Sequence, residues 1–276
     1  MSFFSALLEH QFLQHALLGG LLASIGCGIV GSFVVVRRIG YMAGGIAHAI
    51  LGGMGLAYFL GKSPISGALI SALCAAMIIS KVSNKHNGRQ DEDTIISALW
   101  AVGMSAGILF IAKTPGYNVD LMSYLFGNVL MISAQDLINI AILDGAVLLF
   151  TVLFFKQLLA LCYDVEFATL RGVHVNSINT LLLCMVAVTV VILIQIVGII
   201  LVIAMLTLPA ATARLYVATM PSMMLLASVL GILITCSGLG ISYCYDLPTG
   251  ATTALIAGLV YLAATSLPHR HLSANN

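Results

Sequence analysis

"YMAGGIAHAILGGMGLAYFL", Tyr41 to Leu60, runs for twenty residues without a charge. The hydrocarbon core of a bilayer takes about 20 apolar residues per helix, so this stretch reads as one membrane crossing. Two features exceed what a lipid anchor needs. An imidazole, His48, sits in the middle, and glycines crowd it on both sides: Gly40, Gly44 and Gly45 before it, Gly52, Gly53 and Gly55 after it.

The same signature recurs outward in both directions. Of 276 residues, 61% are hydrophobic and 8% are charged. A soluble domain carries about a quarter charged residues, so this chain has too few to cover a water-facing surface. The runs are continuous and do not alternate at period two, which excludes a β-barrel. The expected fold is all-α, a single polytopic transmembrane bundle over 1–276. About nine crossings are read: 15–36, 41–60, 64–80, 94–112, 135–155, 177–195, 198–215, 221–240 and 250–267. Joining 177–215 into one helix would make eight. "LMSYLFGNVLMIS", from Leu121, is too short to span and reads as an interfacial or re-entrant helix. Little chain remains for loops, so no soluble catalytic domain fits.

Orientation follows from the basic residues. With nine crossings and the N-terminus outside, cytoplasmic loops hold Arg37, Arg38, Lys81, Lys85, Arg89, Lys156, Arg171, Arg214 and Arg270. Outer loops hold Lys62 and Lys113. The C-terminus is then cytoplasmic. With eight crossings, Arg214 and Arg270 move outside and the asymmetry weakens. The N-terminus lacks a basic n-region and a small-residue cleavage site, so no cleaved signal peptide is expected.

A formal net charge of +1 leaves no basic face for nucleic acid. The six cysteines are scattered without a C-x-x-C pair, so neither a zinc ribbon nor a disulfide framework is indicated. "GLAYFLGKS", Gly55 to Ser63, is not a phosphate-binding loop. Five residues separate Gly55 from Gly61 where that motif has four, and the stretch ends a membrane span. The chain is therefore not expected to hydrolyse ATP.

Gly40 and Gly44 form G-x-x-x-G, as do Gly103 and Gly107, and small residues let membrane helices approach closely. For Gly40, Gly44, Gly45, Gly52 and Gly53 the primary role read is helix packing. His48 falls about seven residues into its span, roughly 10 Å deep by the helical rise. An ionisable group at that depth usually faces a cavity or pathway, and imidazole is a common transition-metal ligand. A buried histidine can equally bond a neighbouring carbonyl, so both readings stand. Asp144 is the carboxylate well inside a span and is a candidate on the same ground. Its alternative is a water-filled vestibule or a hydroxyl partner. Asp120 and Asp136 flank the short outer piece and read as solvated. His10, His15, His269 and His271 sit near the termini and read as unspecific. Pro209 lies within the seventh crossing and should kink it.

"CYDVEFATLRGVHVNS", Cys162 to Ser177, mixes Asp164, Glu166 and Arg171 with Val165, Phe167 and Leu170. A short amphipathic helix fits, with Gly172 as its C-cap. An ordinary interfacial loop helix is the plain alternative.

Six segments together resemble the inner-membrane permeases of ABC importers for zinc, manganese and iron. They are "GSFVVVRRIGYMAGGIAHAILGGMGLAY", "EDTIISALWAVGMSAGILF", "DLMSYLFGNVLMIS", "YDVEFATLRGV", "VGIILVIAMLTLPAATARL" and "DLPTGATTALIAG", in order along nearly the whole chain. The resemblance implies a bacterial inner-membrane protein, a homodimer working with two cytoplasmic ATPase subunits and an extracytoplasmic metal-binding protein. It implies a non-catalytic transport subunit with no bound cofactor. The cargo is a divalent transition metal, and ATP is used by the partner. It makes 162–173 a coupling helix, with Asp164, Glu166, Phe167, Leu170, Arg171 and Gly172 docking the ATPase, and it places His48 in the pathway. Many relatives carry an aspartate one turn before this histidine, where this chain has Gly44, and Asp144 is the carboxylate left to replace it. The rival readings are an ABC permease for a metal chelate or a cobalamin-like substrate, and a self-sufficient channel or secondary transporter.

Overall fold

A computed structural model describes residues 7, 9–83, 89–114, 127, 132–199 and 202–266. They form ten helices: α1 Gln11–Arg37, α2 Gly40–Phe59, α3 Pro64–Ser83, α4 Arg89–Lys113, α5 Ala134–Tyr163, α6 Val165–Leu170, α7 Val175–Val197, α8 Val202–Arg214, α9 Met220–Tyr245 and α10 Thr249–Ser266. Helix is what a chain of this composition must form in lipid, where every backbone donor and acceptor has to be satisfied within its own segment.

Eight of these helices are long and apolar enough to cross a membrane. The expected crossing at 198–215 is not one of them. α8 holds 13 residues, about 20 Å at the helical rise, against a hydrocarbon core of about 30 Å. The break falls at Gly198, whose φ of 82° is a conformation glycine adopts without strain. It does not fall at Pro209, which lies buried inside α8, and the helix continues beyond it to Arg214. The piece beginning at Leu121 lies outside the described residues except for Gly127, Ile132 and Ser133.

Contacts between helix ends fix the direction of each pass. Arg38 adopts a left-handed conformation, φ 59°, and closes the two-residue corner between α1 and α2. The Ile39 N–H donates to the Val34 carbonyl at 3.1 Å. At the same end, Arg37 donates to the Leu161 carbonyl near the close of α5 (3.0 Å) and to Asn179 Oδ1 near the start of α7 (3.5 Å). The Ser80 and Thr180 hydroxyls, 2.6 Å apart, bring the end of α3 there too. Arg214 donates to the Val35 carbonyl at 3.4 Å, so α8 ends where α7 began. α8 therefore runs back toward the end of the bundle at which α7 begins. α9 then lies antiparallel to α1, with Ser24 against Thr235 and Gly28 against Ser228. At the opposite end the His15 ring meets the Ile132 carbonyl (3.2 Å), so this terminal histidine has a defined partner. Ser133 caps α5 through a capping box with Asp136, which gives Asp136 a structural task beyond solvation.

α7 is buried along most of its length and forms the centre, packed by α1, α2, α3, α5 and α8. A helix apolar all round belongs in such a place. α4 and α5 keep most of their surface outward, with Val102, Leu109, Ile142, Leu149, Val152 and Leu153 exposed. In a membrane such residues meet lipid or another membrane helix.

Candidate functional site: a glycine seam, a stacked histidine and a projecting helix

α2 and α4 run parallel in one register, joined through α3. Gly45 faces Ile96, Gly52 faces Gly103, Gly55 faces Gly107, and Phe59 faces Phe110. A Cβ at Gly52 would stand 3.0 Å from the Gly103 carbonyl oxygen, and one at Gly103 would stand 2.5 Å from Ala49 Cα. The atoms met are backbone, so no rotamer change would relieve them. With no hydrophobic force between helices in lipid, this close approach is what holds such a pair together. Gly53 opens the other side of α2, where a Cβ would meet Ser71 and the Gly67 carbonyl of α3. Gly40 and Gly44 face α8 through Thr207 and Ile203.

His48 lies inside the seam. It is 9% exposed, and its ring stacks on Trp100 of α4 with centroids 4.0 Å apart and planes 8° from parallel. The indole N–H donates to Met104 Sδ at 3.1 Å. His48 Nδ1 is buried without a hydrogen-bond partner. Most buried hydroxyls in the spans return to their own helix, as Ser32 does to Gly28, Thr151 to Val147 and Thr189 to Met185. Against that background, the buried described atoms left unpartnered stand out: His48 Nδ1, both Asp144 oxygens, Gln195 Oε1 and Arg37 Nε.

Asp144 is 8% exposed and rests on α1. A Cβ at Gly26 would collide with its Oδ1, so the carboxylate fills the notch that this glycine leaves. His48 faces α4 and Asp144 faces α1, so the two sequence candidates sit at different helix pairs. The position one turn before His48, Gly44, is occupied from α8: a Cβ there would lie 2.8 Å from Ile203 Cδ1. An apolar side chain fills that space, and among the described residues no cluster of three histidine, cysteine or carboxylate side chains forms.

Asp164 ends α5 and caps α6, its Oδ1 accepting from the Phe167 N–H at 2.9 Å. Gly172, φ 76°, closes α6 with its N–H on the Thr169 carbonyl and the Val173 N–H on the Ala168 carbonyl, both 3.0 Å. That pair of bonds is a Schellman motif. Ala168 is fully buried and anchors the helix, while Leu170 is 87% and Phe167 49% exposed. Arg171 lies over the Phe167 ring at 5.1 Å, and Glu166 is exposed in the first turn. A cleft of about 520 Å³ opens beside α6, lined by Phe154, Gln157, Arg171 and His174 among others. It adjoins Phe154, where α5 departs from helical geometry (φ −110°, ψ 17°).

Sequence reasoning passed over three of these groups. Trp100 is the chain's one tryptophan, and its spacing from Gly103 and Gly107 already placed it on their face. Gln195 is an amide within an apolar run. Arg37 was counted only as a loop charge, yet it ties α1 to α5 and α7.

The comparisons with known proteins agree over nearly the full length. The model of the ABC 3 transport family matches residues 9–267. The manganese transport system membrane protein MntC of Halalkalibacterium halodurans is 37% identical over 262 residues, 95% of this chain and 89% of that one. An uncharacterised membrane protein of Synechocystis is 41% identical over 255 residues, 92% of this chain and 90% of that one. Among solved structures, PsaBC from Streptococcus pneumoniae in complex with Fab superposes with a TM-score of 0.86 at 34% identity, covering 95% and 94% of the two chains. A transporter described as metal-chelate type, in an inward-facing conformation, gives 0.71 at 17% identity, covering 95% and 88%, a likeness of fold alone. This chain belongs to the ABC 3 transport family.

Proposed function

We propose that the chain is the membrane permease of an ATP-driven importer that carries a divalent transition metal, manganese foremost, across the bacterial cytoplasmic membrane. Two copies form the pathway, two cytoplasmic ATPase subunits drive it, and an extracytoplasmic binding protein delivers the metal. The relatives named for manganese transport support the cargo. The permease itself is non-catalytic. ATP hydrolysis belongs to the partner, since the sequence offers no phosphate-binding loop.

The observation that carries this reading is α6. A six-residue helix, capped at both ends and projecting Phe167 and Leu170 outward, sits at the end of the bundle that gathers Arg37, Arg171 and Arg214. By the positive-inside rule this is the cytoplasmic end, which puts the N-terminus outside and the C-terminus inside. Leaving Leu170 in water forgoes roughly 1.5–3 kcal/mol and leaving the half-exposed Phe167 there about half as much, and docking in an ATPase groove recovers it. A channel or secondary transporter would leave this surface without a task.

In the bundle, His48 lines the pathway as a transient ligand. One or few ligands suit an ion that must be released. Proteoliposomes holding permease, ATPase and binding protein, given Mn²⁺, Zn²⁺ and Fe²⁺ in turn, test the reading. Uptake should require ATP and should fall strongly in His48→Ala. His48→Asn keeps hydrogen bonding but ligates poorly. Wild-type uptake by the Asn variant, at equal protein, removes His48 from the pathway.

A further inference from the structure

We propose that Trp100 positions His48 for the cargo: its indole holds the imidazole plane by stacking from one face and leaves the ring nitrogens free for a metal. This deepens the pathway role argued for His48 and rests on it. A metal bonds along a nitrogen lone pair, in the plane of the ring, so the plane must be aimed. Histidine ligands are ordinarily aimed by a hydrogen bond from the second ring nitrogen to a carboxylate or carbonyl. Here Nδ1 has no such partner. Gly44, one turn before His48, offers no side chain to bond it, and Ile203 fills that space. What the ring does have is an almost parallel indole at 4.0 Å. A stack restrains the two ring rotations that tilt the plane and occupies neither nitrogen.

The indole is itself fixed. Its N–H is held by Met104 one turn later, and the glycine seam sets how closely α4 brings it. Ile96, Trp100, Gly103 and Gly107 share the α4 face that meets α2. The seam therefore has a second consequence besides packing. It places one aromatic plane against the one imidazole in the span.

Because the chain has a single tryptophan, its emission reads the stack directly. Full-length permease in liposomes is titrated with MnCl₂ and, separately, ZnCl₂. The expected result is a saturable change of Trp100 emission that disappears in His48→Asn. In the complete transporter, Trp100→Leu should raise the half-saturating metal concentration roughly 3- to 10-fold, the range that an aromatic pair spans. Trp100→Phe, which keeps an aromatic face, should restore it to near wild type. If Trp100→Leu fails to accumulate in the membrane, the emission titration of wild type against His48→Asn decides alone. A flat titration overturns the positioning role, as does wild-type half-saturation in Trp100→Leu, and His48 still stands as a ligand if its Asn variant is inactive. Wild-type uptake by His48→Asn overturns both.

Discussion

Replacing Gly103 by alanine tests the seam with one carbon atom. The new Cβ would stand 2.5 Å from Ala49 Cα and 3.2 Å from the His48 carbonyl oxygen. Carbon atoms rest about 3.5–4.0 Å apart, so α4 must retreat by roughly 1–1.5 Å. That moves the Trp100 indole off its 4.0 Å stack on His48 to roughly 5 Å, a gap that forfeits about half of the dispersion contact. Overpacking of this kind costs about 1–3 kcal/mol, which lowers Tm by roughly 2–4 °C per kcal/mol in a chain of this size. Gly145 of α5 supplies the control, since nothing lies within 4 Å of a Cβ built there. Alanine at 145 should be neutral or gain up to about 1 kcal/mol from helix propensity. Thermal melting of the purified permease, followed by Trp100 emission and by monodispersity after heating, reads both variants. Gly103→Ala should melt several degrees below Gly145→Ala and emit as a more exposed indole. If the two melt together and emission is unchanged, the seam is looser than described, and its role in setting the stack is wrong.

Charge reversal at Glu166 combined with Phe167→Ala should cut ATPase co-purification and transport while the permease stays folded in the membrane, and normal values for both would reduce 162–173 to a surface loop. A reporter fused after Asn276 should read cytoplasmic, and an outward signal would remove one pass from the count while leaving the family assignment untouched. Asp144→Asn keeps the shape that fills the Gly26 notch and should transport metal close to the wild-type rate. Lost uptake at normal membrane level would make Asp144 a second ligand even though it rests against Gly26 of α1.

The spans were legible because lipid imposes them. A run of about 20 apolar residues in hydrocarbon has helix as its one way to satisfy its backbone, so length and composition sufficed for the eight long helices. The C-cap of α6 was legible for the same local reason, since Gly172 acts within four residues of itself, whereas the capping role of Asp164 emerged only in the structure. What composition could not reveal was which helix meets which. In lipid, an apolar face is equally at home against tails or against another helix, so hydropathy carries no pairing signal. That Gly103 meets Gly52, that Trp100 covers His48, and that Asp144 turns to Gly26 of α1 are decided by shape between segments far apart in the chain. The expected seventh crossing shows the boundary well. The sequence 198–215 is apolar enough to span, but Gly198 only separates it from α7, and it is the packing of α8 among α1, α2, α7, α9 and α10 that brings Arg214 back beside Val35.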